Sequence, residues 1–116
     1  MPRTRALILV DIQNDYFTGG LWPVDQMERV AQAAAKVLDT ARQANDLVIH
    51  IRHEALSGAA PFFRPGTAGA DIHPSVAPTQ DEPIILKHRP NSFHETDLQD
   101  HLQAAGVGEI TLVGAM

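Results

Sequence analysis

The chain has 116 residues, of which 44% are hydrophobic and 20% charged, enough length and apolar content for one domain with its own core and against a disordered segment. A net charge of −5 excludes the basic footprint of a nucleic-acid or anionic-membrane binder, and no apolar run approaches the ~20 residues that cross a bilayer. Cysteine is absent, so disulfides, thiolate metal sites and a cysteine nucleophile are excluded within these residues.

The first strand is predicted over the apolar run Ala6–Val10, behind a start too short for the apolar region of a signal peptide, so a cytoplasmic protein is expected. The unbroken apolar run from Ala6 to Val10 suits a central strand of a parallel sheet, covered on both faces. It drives into Asp11, followed by Gln13 and Asn14, at the carboxyl edge where α/β proteins place their ligands. Thr18-Gly19-Gly20 reads as a flexible loop and Leu21-Trp22-Pro23 as an apolar lip. Asp25 with Glu28 has the spacing of a capping box and predicts a helix start. Met27, Val30, Ala31, Ala34, Val37, Leu38 and Ala41 then recur at helical spacing, the stripe of a long helix laid on a sheet.

Asn45-Asp46 ends that helix, and Leu47–Arg52 reads as the second strand. The segment from His53 to Asp81 is rich in Gly, Ala and Pro and has no sustained period. A loop of that length is uncommon in a compact domain and often functional, so it is predicted to fold over the carboxyl edge as a wall of the site. Pro83–Lys87 is a third strand, again ending in a charge. A second helix is predicted from near Thr96, which caps the amide of Gln99, with Leu98, Leu102 and Ala105 inward and Gly106 as the C-terminal cap. Glu109–Gly114 is the fourth strand. This order predicts a parallel sheet with helices on its faces, a three-layer α/β/α single domain over residues 1–116. No helix follows the fourth strand, so one side of the sheet is poorly covered and the chain is expected to continue.

Asp11 and Lys87 end two apolar strands, and parallel topology brings both to one edge. As a partly buried pair, the lysine would hold the carboxylate ionised and the carboxylate would take a proton from a nucleophile. The alternative is a structural ion pair or two solvated strand ends. Six histidines raise the question of a metal. His50 and His53 are three apart on a strand and face opposite ways, while His88, His94 and His101 are scattered, so no metal ligands are assigned. Gly66-Thr67-Ala68-Gly69 follows no strand and opens no helix, unlike a dinucleotide fingerprint. No cofactor is expected.

Leu9 to Phe17 (with Asp11, Gln13, Asn14 and Asp15), Arg64 to Gly69 with His73-Pro74, Lys87 to Phe93, Thr96-Asp97-Leu98 and Val113 to Met116 follow one another in an order that resembles the isochorismatase-like cysteine hydrolases. The resemblance implies their three-layer fold with a Rossmann-like parallel sheet, and hydrolysis of small amides, carbamoyl groups or nitriles. It implies that Asp11 is the base for a cysteine thiol and later the acid for the leaving amine. Lys87 would support the thiolate and the aspartate electrostatically. Gln13 and Phe17 match positions near the substrate, a polar contact and a pocket wall. Ala115-Met116 matches the segment that shapes the oxyanion hole. The family's nucleophilic cysteine lies a few residues further on, past Met116. The implied protein is thus a longer hydrolase of a small-molecule substrate that assembles with copies of itself. The alternatives are an inactive fragment or pseudo-enzyme acting as an interaction module, and a vinyl-ether-cleaving isochorismatase, which needs no such cysteine. His50-Ile51-Arg52-His53-Glu54 stands where the metal-dependent branch of the family has an Asp-x-His motif, so metal-free chemistry is implied. In the intact form, Asp11→Asn and Lys87→Ala are expected to abolish turnover without unfolding the protein.

Overall fold

The computed structural model describes residues 5–89, 91–94 and 96–114. The expected strands form β1 (Arg5–Val10), β2 (Leu47–His53), β3 (Ile84–Lys87) and β4 (Glu109–Gly114), with helices α1 (Met27–Gln43) and α2 (Leu98–Ala104) between them. All pairings are parallel and the sheet order is β3-β2-β1-β4. From β1 the chain steps outward through β2 to β3, then returns to pair β4 with the opposite flank of β1. The end of β1 is therefore a topological switch point, the place where open α/β sheets bind ligands.

Successive side chains of the central strands alternate between two cores. Leu7, Leu9 and Val48 pack under α1, against Met27, Ala31, Ala34, Leu38 and Ala41. Ala6, Ile8, Ile49, Ile51 and Ile85 pack on the other face, under Leu98 and Leu102 of α2. The apolar stripe of α1 is narrower than its sequence predicts, since Val30 is half-buried and Val37 exposed. The capping box does not form. Gln26 occupies the N-cap in a left-handed conformation, and no side chain caps the first turn. Backbone bonds set the entry instead, Met27 N–H to the Val24 carbonyl at 3.2 Å and Val24 N–H to that of Tyr16 at 2.8 Å. Glu28 turns away to accept the Thr18 hydroxyl at 2.9 Å.

Both helices end in the same way. Asn45 and Gly106 take left-handed conformations, and the next residues, Asp46 and Val107, return their amides to Ala41 and Leu102, the six-to-one bond of a Schellman motif. The second helix begins at Leu98, later than expected, because Thr96 receives the Leu98 amide at 3.4 Å rather than that of Gln99. β3 and β4 are edge strands, and their side chains Ile84, Leu86, Ile110 and Leu112 are exposed. The long connection after β2 folds over the carboxyl edge as expected. His73 N–H reaches the Ile12 carbonyl at 2.9 Å, Asn14 N–H reaches that of Asp71 at 3.0 Å, and Val76 buries itself against the α1 core.

Candidate active site

β1 ends in an unusual residue. Asp11 has a left-handed backbone, φ 59°, a conformation that costs an L-residue roughly 1–2 kcal/mol and that aspartate tolerates better than most. The turn has a consequence for direction. Leu7 and Leu9 face α1, whereas Ile85 packs on the α2 side, so regular alternation would aim Asp11 and Lys87 at opposite faces. Breaking the alternation at Asp11 lets them meet. Lys87 stands on β3, with β2 between it and β1, so the two side chains together span two strand spacings of about 4.8 Å each. Its Nζ lies 3.2 Å from Asp11 Oδ2.

The pair is buried, with Asp11 7% and Lys87 2% exposed. Asp11 Oδ1 has no hydrogen-bond partner among the described residues. Burial pushes the Asp11 carboxyl above its ordinary pKa of 3.8, while the charge and hydrogen bond of Lys87, and the charge of His53, act against that rise. Tyr16 is pushed up to about 12, by burial first and then by the charge of Asp11. His53 is lowered by its own burial, against the pull of Asp11, so it is uncharged at neutral pH. The edge thus holds one buried acid–lysine pair flanked by a neutral phenol and a neutral imidazole.

Gln13 is fully buried. Its amide nitrogen donates to the carbonyls of His53 and Ala70, each at 2.7 Å, and its oxygen accepts the His53 amide at 2.8 Å. It latches the end of β2 and the Ala68–Ala70 turn to the strand that carries Asp11. Arg52 adds a second hold on the Ala70 carbonyl, at 3.2–3.3 Å. Phe17 is buried and stacks on the His73 ring, centroids 3.7 Å apart and planes 11° apart. It lines an open cleft of about 390 Å³ with Thr18, Gly19, Leu21, Gly69 and His73, to which neither Asp11 nor Lys87 contributes. Ala115 and Met116 lie outside the described residues.

The two strand histidines part company. His50 points into the α1 side, where its Nε2 lies 2.8 Å from Glu82, itself gripped by Arg42, while His53 sits at the carboxyl edge beside Phe63. Among the described residues, no three His, Cys, Asp or Glu side chains converge as metal ligands would. Sequence reasoning missed Asp15, whose buried carboxylate accepts the amides of Phe63 at 2.7 Å and Leu21 at 3.2 Å. It also missed the proximity of His53 to the pair. The available signal for both was the density of amide and acid side chains directly behind a strand end, a pattern suited to binding backbone.

Comparison with known proteins agrees with this fold. An isochorismatase domain model matches residues 5–116. The uncharacterised isochorismatase family protein YddQ of Bacillus subtilis is 45% identical over 113 residues, 97% of this chain and 63% of that protein. A streptothricin hydrolase of Streptomyces noursei is 33% identical over 113 residues, 97% of this chain and 43% of its own length. The crystal structure of a putative isochorismatase hydrolase from Oleispira antarctica superposes with a TM-score of 0.94 at 45% identity, covering all of this chain and 63% of that one. The chain therefore spans under two thirds of the length of these relatives. With a parallel sheet, a buried acid–lysine pair at its switch point and a domain match over nearly its whole length, the chain belongs to the isochorismatase family.

Proposed function

We propose that the protein is a hydrolase that cleaves a C–N bond in a small amide or carbamoyl compound through a cysteine thioester, with Asp11 as base and Lys87 as electrostatic support. The observation that carries this reading is the buried Asp11–Lys87 contact of 3.2 Å at the switch point. Asp11 would take the proton of a thiol supplied by residues beyond Met116. The thiolate attacks the substrate carbonyl, and the tetrahedral adduct expels the amine, which leaves with the proton Asp11 had taken. Water then attacks the thioester, yielding a proton to Asp11, and collapse to the carboxylic acid returns that proton to the sulfur. A base that must also act as an acid works best between its extremes. Burial raises Asp11 and Lys87 keeps it ionised, which suits both roles.

The register supports the same reading, because Gly114 ends β4 opposite Val10, the residue before Asp11. A Cβ on Gly114 would sit 2.7 Å from the Val10 carbonyl oxygen, so the close approach needs glycine. The streptothricin hydrolase relative supports hydrolytic chemistry. Gln13, buried with its amide taken up by the backbone of His53 and Ala70, is assigned as the latch that fixes this edge in place of the substrate contact expected of it, and Phe17 as a wall residue. Self-assembly and a cytoplasmic location complete the proposal.

Intact mass of the natural gene product comes first, followed by titration of its thiols. A mass above that of the 116 residues, one reactive thiol and ammonia release from a panel of simple amides are the expected results. Asp11→Asn should then lower kcat by about 10²–10⁴-fold, the usual worth of a positioned general base. Near-wild-type turnover in that variant would remove Asp11 from the mechanism. A natural product ending at Met116 would remove the thioester.

A further inference from the structure

Asp15 is 2% exposed, and its oxygens gather backbone amides from two loops distant in sequence. Oδ2 accepts Phe63 N–H at 2.7 Å, Oδ1 accepts Leu21 N–H at 3.2 Å, and its own carbonyl accepts Trp22 N–H at 3.0 Å. Two glycines are shaped around it. A Cβ on Gly69 would collide with Asp15 Oδ1, and one on Gly20 would lie 2.5 Å from its carbonyl oxygen.

Phe63 is held under strain. Its φ is 53°, a region that bulky side chains rarely enter. Such strain persists only where the surroundings over-determine it. Here those surroundings are the Asp15 bond on its amide and the complete burial of its ring. The ring packs 4.7 Å from that of Tyr16 and 5.8 Å from that of His53, the two groups whose ionisation feels the charge of Asp11. On the other loop, the Trp22 ring rests 5.0 Å from that of Phe62.

We propose that Asp15 is a positioning residue. Its carboxylate clasps the 18–22 loop to the 60–70 loop and holds Phe63 in its left-handed conformation, so that an aromatic wall stands at the carboxyl edge beside Asp11. Asp15 acts through Phe63, whose amide its carboxylate holds. The catalytic consequence rests on the function proposed above, whereas the clasp itself does not.

Trp22 is the single tryptophan among these 116 residues, and subtracting the emission of a Trp22→Phe control isolates its signal in the intact protein. In Asp15→Ala, Trp22 emission should move to the red and become more open to acrylamide. The His53 ring-proton resonance should move as the Phe63 ring withdraws, while far-ultraviolet circular dichroism stays native. Asp15→Asn keeps one acceptor oxygen and should give smaller shifts in the same direction. Gly69→Ala drives a methyl group into the carboxylate and should reproduce the Asp15→Ala signature. Added to Asp15→Ala it should change little, because its collision partner is gone. Unmoved Trp22 and His53 signals in a folded Asp15→Ala protein would overturn the proposal, as would effects of the two substitutions that simply add. If Asp15→Ala does not fold, Asp15→Asn decides by the same two signals. Neither signal requires turnover, so these shifts in the variants, together with no amide hydrolysis by the unsubstituted full-length protein, would sink the hydrolase reading and leave the clasp standing.

Discussion

Asp11 carries two costs at once, a left-handed backbone and a buried carboxylate with one oxygen unpartnered among the described residues. Lys87 offsets the second. The expectation that Lys87 can be removed without affecting the fold is therefore revised, because at 2% exposure its loss would leave the acid buried and unpaired. Breaking a buried pair typically costs about 3–5 kcal/mol. Lys87→Met should approach that cost at neutral pH. The sign of its pH dependence follows from Asp11, whose folded pKa lies above the unfolded one. Such a carboxyl favours the folded state below its unfolded pKa, and that advantage is lost as pH rises through the folded pKa. Removing Lys87 raises the folded pKa further. The deficit of Lys87→Met should thus shrink on acidification as Asp11 takes up a proton, seen as converging urea midpoints for variant and wild type. A deficit independent of pH would mean that lost packing, not charge, is responsible.

Three elements meet at Glu82. Arg42 of α1 grips it with two bonds of 2.8 Å, His50 of β2 reaches it at 2.8 Å, and the Thr79 amide adds a third donor at 3.0 Å. Burial pushes the carboxyl up, but these donors outweigh it and hold Glu82 down at about 2. A depressed carboxylate contributes stability above its unfolded pKa of 4.5, and that stability is lost as pH falls toward about 2. The shift corresponds to at most about 3 kcal/mol, less once the one-third exposure of Arg42 is allowed for. Glu82→Gln should lower the neutral-pH urea midpoint and flatten the acid limb of the stability profile between those two values. An acid limb as steep as that of the wild type would mean that other carboxylates set it. His50 is lowered by burial and stays neutral, donating its Nε2–H to the Glu82 carboxylate, while its buried Nδ1 has no hydrogen-bond partner among the described residues.

Across the whole molecule, burial is uneven. β1 and β2 are covered on both faces, whereas on β4 Ile110 is 45% and Leu112 67% exposed. A groove of about 360 Å³ opens beside β4, lined by Ile8, Val10, Phe93, Leu98 and Leu112. The mutational map of the 116-residue chain should follow this asymmetry. Leu7→Ala, at 2% exposure beneath α1, should cost about 2–5 kcal/mol. Leu112→Ala should cost within about 0.5 kcal/mol. Comparable losses in the unfolding midpoints of the two variants would show that the β4 face is packed in solution.

Much of the fold was legible because it rests on local rules. The run from Ala6 to Val10, the helical spacing from Met27 to Ala41 and the stops at Asn45 and Gly106 each report burial or backbone freedom within a few residues. Asp11 and Lys87 were legible for a related reason, since charges that end apolar strands must surface at one edge of a parallel sheet. The capping box misled because Asp25 and Glu28 have the right spacing but the backbone turn from Val24 to Met27 sets the helix entry.

By itself, then, the sequence determined the elements, their parallel arrangement and the two charges at the edge. Only the tertiary structure decided the left-handed turn that lets those charges meet, the inward use of Gln13 and the clasp at Asp15. Those features depend on partners 40, 57 and 48 residues away, as in the bonds of Gln13 to His53 and Ala70 and of Asp15 to Phe63. No local periodicity encodes them, because an amide or acid behind a strand end looks the same in sequence whether it meets water, a substrate or the backbone of a distant loop.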